Sequence, residues 1–146
     1  MHNRTKVAIL SATSNVIWFI LTFIWNCFRV THLEGEELAR SWGIYFLILV
    51  AGFLVLIALS AILVMTKEKR SGGQGFEEII DERDRHIEVF VMKVFGLVFF
   101  LSFIVVVSLL ALGFGLQIFF GGVAFMVLLS DLAIWITYII AYERGL

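Results

Sequence analysis

The residue best placed to do chemistry in this chain is an aspartate inside an oily stretch. Asp131 lies near the middle of the last long apolar run, about Phe119 to Tyr142. An ionised carboxylate at bilayer depth costs about 2.5–3.5 kcal/mol on insertion scales, so such a group faces other helices and is protonated or hydrogen-bonded. Helical spacing puts Ala124, Leu128, Asp131, Trp135, Tyr138 and Tyr142 on one stripe, which should face inward. On the first apolar run Ser11, Asn15, Trp18, Thr22, Asn26 and Arg29 form a second, polar-aromatic stripe. Counting depth from the span ends sets Asp131 level with Trp18 and with Ile104 of the third run, and Asn15, Ser102 and Ser108 lie about one turn away. The expected intramembrane polar site is therefore Asp131 with Asn15, Thr22, Ser102 and Ser108, and Asn15 or Thr22 is the expected partner of the acid. It reads either as packing glue between helices or as a proton or cation site. A conduction path would require further titratable groups at successive depths, and the sequence supplies none.

The second concentration of chemistry is the charged run Asp81-Glu82-Arg83-Asp84-Arg85-His86-Ile87-Glu88. Phe76, Ile79, Ile80, Arg83, Ile87, Phe90 and Val94 recur at three- and four-residue steps, which predicts an amphipathic helix entering the third span without a break. Glu77 with Asp81, Glu78 with Glu82, and Asp84 with Glu88 are like-charged pairs four apart, each costing a few tenths of a kcal/mol. Arg85 offsets only part of this. The surplus acids call for partners outside the helix, which the nearby Lys67, Lys69 and Arg70 could supply; Asp81, Glu82, Arg83, Asp84 and Arg85 form a candidate docking or dimerisation surface, against the alternative of a merely solvated helix. Arg83, on the apolar stripe, should reach inward, toward Glu143 or the carbonyls that end the fourth span.

The elements that position these residues are four apolar runs, about 7–28, 43–65, 94–114 and 119–142, with the connection 66–93 between the middle two. Each is about 30 Å of helix, enough for a bilayer core. The chain of 146 residues is 61% hydrophobic, with a mean hydropathy of +1.00, far from a soluble domain. No proline is present to kink a span. The glycine-rich stretch Ser71 to Gly75 should break the helix that leaves the second span. The expected fold is an all-α integral membrane protein: a single domain of four transmembrane helices in an antiparallel bundle, plus the cytoplasmic amphipathic helix. A signal peptide is the competing reading of the first run, but that run is long for one and no small-x-small cleavage site follows. The two halves differ in loop pattern and polar positions, against an inverted-repeat transporter.

Orientation follows from the basic residues. Arg4, Lys6, Lys67, Lys69, Arg70, Arg83, Arg85, Lys93 and Arg144 fall on one side, and only Arg29 and Arg40 on the other. The positive-inside rule puts both termini and the 66–93 connection in the cytoplasm.

The string Asp81 to Glu88 resembles the Asp-Glu-Arg-Asp-Arg-x-Ile-Glu string of a bacterial family of small, uncharacterised four-span inner-membrane proteins, where it also precedes the third span. Tyr142-Glu143-Arg144-Gly145 is similar to that family's Tyr-Arg-Arg-Gly-like tail, with Glu143 departing from it. Val89-Phe90-Val91-Met92 also depart, standing where the family shows basic and small residues. The resemblance covers roughly Asp81 to the C-terminus, and Asp131 falls where the family's last span carries an acid. It implies a bacterial inner-membrane location and a compact four-span fold, and no reaction.

Other chemistry is not written in the chain. His2, His32 and His86 lie outside the apolar runs, which removes haem ligation at membrane depth. Cys27 is the sole cysteine, so no cysteine-based zinc site or internal disulfide can form. His32 with Glu34, Glu36 and Glu37 reads as a solvated loop rather than a metal site. No phosphate-cradling loop, nucleophile elbow or triad appears. A net charge of −1 gives no basic excess for nucleic acid. The expected protein is thus not an enzyme and carries no cofactor or metal. It meets the lipid bilayer and acts through contacts, as a homo-oligomer or as an accessory or regulatory subunit of another membrane protein. The alternative is a small proton- or cation-linked transporter or channel-like protein using Asp131. Ala133, Thr137 and Ala141, at four-residue steps, allow a close helix approach, either internal or at a dimer seam.

Overall fold

The computed structural model describes residues 3–70 and 82–144, with side chains for 5–67 and 84–144. The expected glycine break at 71–75, the helix expected over 76–81 and Asp81 lie outside the described residues, as do the side chains of Glu82 and Arg83. Four helices account for the described chain: α1 Asn3–Val30, α2 Gly35–Arg70, α3 Glu82–Ala111 and α4 Leu116–Arg144. All four are long and apolar enough to cross a membrane.

The helices outrun the apolar runs that announced them. The polar connection expected over Arg29 to Trp42 shrinks to residues 31–34, because α2 begins at Gly35. Charge interrupts hydropathy there without interrupting helix. Glu, Leu, Ala and Arg are strong helix formers, and Glu36 and Glu37 in the first turn suit the positive end of the helix dipole. Leu38, Ser41, Trp42 and Tyr45 are all buried, which is the helical period continued through a polar sequence. Between α3 and α4 the chain turns at Gly113, whose φ is +83°. Phe114 N–H donates to Leu109 O at 3.2 Å and Gly113 N–H to Leu110 O at 3.0 Å, a glycine-capped helix end. α3 starts within the charged run and continues unbroken into its apolar part.

α1 packs on α2 and on α4, and α4 packs on α1 and on α3. α2 only grazes α4, and α3 touches neither α1 nor α2 among the described residues. α1 and α4 are therefore the inner pair, each with an outer neighbour. Along α1, Asn15 meets Asp131 of α4 while Phe19 and Phe23 meet Phe125. The main core joins Phe19 and Val30 to Leu38, Trp42, Tyr45, Leu49 and Phe53 of α2, and to Ala124 and Leu128 of α4. Aromatic rings fill its half nearer the α1–α2 turn, with Phe23 6.2 Å from Trp42 and Trp42 6.0 Å from Phe120. A second, smaller core at the other end seats Ala141 against Ile87 and Val91 of α3. On the small-residue face of α4, Ala141 and Thr137 are thus buried within the chain, and Ala133 is half-buried.

Close approach depends on two glycines. At Gly52 of α2 a methyl group would overlap the indole of Trp18, so the bare backbone makes room for the ring. Gly122 of α4 lets Val106 of α3 come in: a methyl group there would stand 3.3 Å from its side chain.

Candidate functional site between the inner helices

Asp131 lies half-buried on α4 where that helix meets α1. Asn15, fully buried, donates from Nδ2 to both carboxylate oxygens, at 3.1 Å to Oδ1 and 3.0 Å to Oδ2. Trp135, one turn along α4, donates from Nε1 to Oδ1 at 3.0 Å. The carboxylate thus accepts three hydrogen bonds from neutral donors. Bonds of this kind favour the charged form, and the dry surroundings oppose it.

The structure brings together only part of the sequence-predicted set. Asn15 is the partner. Thr22 is not: it is buried on the same face, but its hydroxyl donates to Trp18 O at 2.8 Å and Phe19 O at 3.2 Å, within its own helix. A threonine inside a helix finds its i−4 carbonyl more readily than a group across an interface. Ser102 and Ser108 ride on α3, which packs against α4, yet the acid's bonds come from Asn15 and Trp135 and not from either serine. Ser102 is half-buried, and Ser108 is exposed and bonded to Ile104 O at 2.7 Å. Matching depths gave the level of these serines but not which way they face. Trp135 went unassigned as a ligand of the acid, although its i+4 spacing from Asp131 carried the signal.

The rest of the buried face of α1 is unusually polar. Thr5, Ser11, Asn15, Thr22 and Asn26 are all buried, interleaved with Ala8, Phe19 and Val30. Arg29 leaves this face and lies over the ring of Trp25, 5.2 Å from its centre. The inward stripe of α4 holds Ala124 and Leu128 buried, with Asp131, Trp135, Tyr138 and Tyr142 half-buried. Tyr138 and Tyr142 stack at 6.2 Å.

Of the candidate docking residues the structure describes the side chains of two. Asp84 is half-buried and accepts a hydrogen bond from Tyr142 Oη at 2.8 Å. Arg85 is exposed, as are His86 and Glu88. Arg83, expected to reach Glu143 or the carbonyls that end the fourth span, has its side chain outside the described residues; Glu143 is exposed, and a described link between α3 and the end of α4 is the Tyr142–Asp84 bond. No group of three or more metal-ligating side chains gathers among the described residues.

Comparison with protein-family models, with curated proteins and with solved structures gives no match for this chain.

Proposed function

We propose that this chain is a non-catalytic, multi-pass protein of a bacterial inner membrane that works through protein contacts, as a homodimer joined along α3. Its four spans run antiparallel, and both termini and the 66–93 connection lie in the cytoplasm, on the side that carries nine of the eleven basic residues. The observation that carries the reading is the position of α3. It has one neighbour, α4, among the described residues, and only 6% of its most apolar stretch is buried. The side that faces away ends, at the cytoplasmic edge, in the exposed Arg85, His86 and Glu88. A second copy is the occupant that the charges favour. The run Asp81 to Glu88 sets Arg83 and Arg85 among four acids, so across a twofold axis each copy can offer acids to the other's two arginines. The small-residue face of α4 is a poorer seam, because Ile87 and Val91 already cover its Ala141 end and Thr137 is buried within the chain.

Native mass spectrometry of the full chain released from nanodiscs tests this. The wild type should appear as a dimer. The double reversal Arg83→Glu with Arg85→Glu should give mostly monomer. A monomeric wild type, or a dimer indifferent to the reversal, overturns the proposal.

A second reading is favoured by the polar face of α1, against whose middle Asp131 of α4 rests: a small proton- or cation-linked transporter or channel-like protein in which Asp131 titrates. Asp131→Asn would then abolish activity at normal abundance and fold, whereas the contact reading has it retain dimerisation.

A further inference from the structure

Polar atoms sealed away from solvent are nearly always hydrogen-bonded, so a group of them without partners demands an occupant. Such atoms gather here along one line. Near the α1–α2 turn they are both amide atoms of Asn26, the hydroxyls of Ser41 and Tyr45, and Trp42 Nε1. All four residues are at most 3% exposed. The line continues down α1 through Trp18 Nε1 and Asn15 Oδ1, whose amide nitrogen is already given to Asp131. It ends with Ser11 and Thr5 near the opposite end of the helix. From Thr5 to Asn26 this is about 32 Å of helix, the depth of a bilayer core.

We infer that the buried face of α1 holds a file of bound water, running from Asn26 past Asp131 to Thr5, which gives water and protons access to the carboxylate. Size and chemistry select the occupant. Trp42 and Tyr45 touch edge to face with ring centres 5.4 Å apart, and Phe23 stands 6.4 Å from Tyr45, so no room opens between the rings and only a molecule as small as water can sit at their polar edges. The unpartnered atoms offer donors and acceptors together, as a water with two to four bonds requires, and none of them belongs to a charged group that would select an ion. Counting Thr22, whose hydroxyl oxygen can still accept a bond, successive polar positions on α1 are separated by about 5–9 Å of helix rise, a gap that one or two waters bridge. The file goes beyond both readings above, because it exists whether or not Asp131 titrates and whether or not the chain dimerises.

Radiolytic hydroxyl labelling of the full chain in nanodiscs tests it, since radicals form on bound water inside a protein. Phe53 of α2 and Val91 of the smaller core, buried without a polar side-chain atom and off the face of α1, are the dry controls. After correction for intrinsic reactivity, Trp42, Tyr45 and Trp18 should label about tenfold faster than these two. Equal rates overturn the proposal. Asn26→Leu, which plugs the line, should cut labelling of Trp18 severalfold. Unchanged labelling of Trp18 in a folded Asn26→Leu protein overturns a continuous file, and if that variant does not fold, the wild-type rates still decide. Asp131→Asn should leave labelling of Trp42 intact, so loss of activity in that variant and absence of the file are separate results.

Discussion

Asn15 reaches across from α1 and holds both oxygens of Asp131 with one amide nitrogen, at 3.1 and 3.0 Å. At membrane depth these bonds join side chains of two different helices, while Trp135 steadies the same carboxylate from within α4. The contact links the inner helix pair, so it sets the rotation and height of α1 on α4. Such bonds are modest in bilayers, because unfolded spans find other partners too.

Removing that clamp should therefore loosen the pair without dissolving it. Asn15→Leu is expected to cost about 0.6–1.7 kcal/mol. Trp135 still bonds Oδ1 in that variant. A double-mutant cycle with Asp131→Leu, followed by unfolding in mixed micelles, should give a coupling of the same size. No coupling between the two positions would show that the contact does not form in the folded protein.

The Trp18–Gly52 contact predicts a steric phenotype. Gly52→Ala drives a methyl group into the indole and should destabilise the chain by about 1–3 kcal/mol, as overpacking does. Trp18→Ala in the same chain should remove most of that penalty. Thermal unfolding of the single and double variants measures it, and additive effects would count against the close approach.

These contacts mark how far the sequence could be read. Four spans and the inward faces of α1 and α4 were legible, because apolar length and a 3.6-residue period are local properties of the chain. The Asn15–Asp131 pair was legible as well, since an acid at that depth needs a donor and the buried stripe of α1 held few candidates. Neighbour choice was not. Ser102 and Ser108 lie at depths compatible with Asp131 on a helix that packs against α4, yet Ser108 is exposed and bonded within its own helix, and the acid's partners are Asn15 and Trp135. Depth is set by the bilayer, whereas adjacency is set by side-chain shape, by Gly52 under Trp18 and Gly122 under Val106, which no period reveals. The start of α2 was missed for a different reason. Hydropathy reads where oil begins, and Glu36, Glu37 and Arg40 continue a helix that is no longer oily.

Tyr142 and Asp84 predict how the charged end of α3 is held. Their hydrogen bond, 2.8 Å long, ties the first turn of α3 to the last turns of α4, beside Ile87, Val91 and Ala141. Tyr142→Phe should cost about 0.5–1.5 kcal/mol, in the range of a single hydrogen bond. The loss should be local, so hydrogen exchange should quicken over residues 84–90 while the Asn15–Asp131 region stays protected. Uniform acceleration across all four helices would mean that this end of the molecule is not a separate unit.

The sidedness of the chain rests on its basic residues and is open to direct measurement. With Cys27→Ser as the background, the chain has no other thiol. His86→Cys and Glu36→Cys then place single probes at exposed positions, one near the start of α3 and one in the first turn of α2. Nine of the eleven Lys and Arg residues lie on the His86 side, and cytoplasmic loops carry the basic excess. A membrane-impermeant maleimide should therefore label His86→Cys in inverted vesicles and not in intact spheroplasts, and Glu36→Cys the other way round. The reverse pattern would put the charged run outside the cell and leave the proposed α3 dimer with no cytoplasmic edge. Labelling of both positions from one side would remove α2 as a full crossing, and the four-span reading with it.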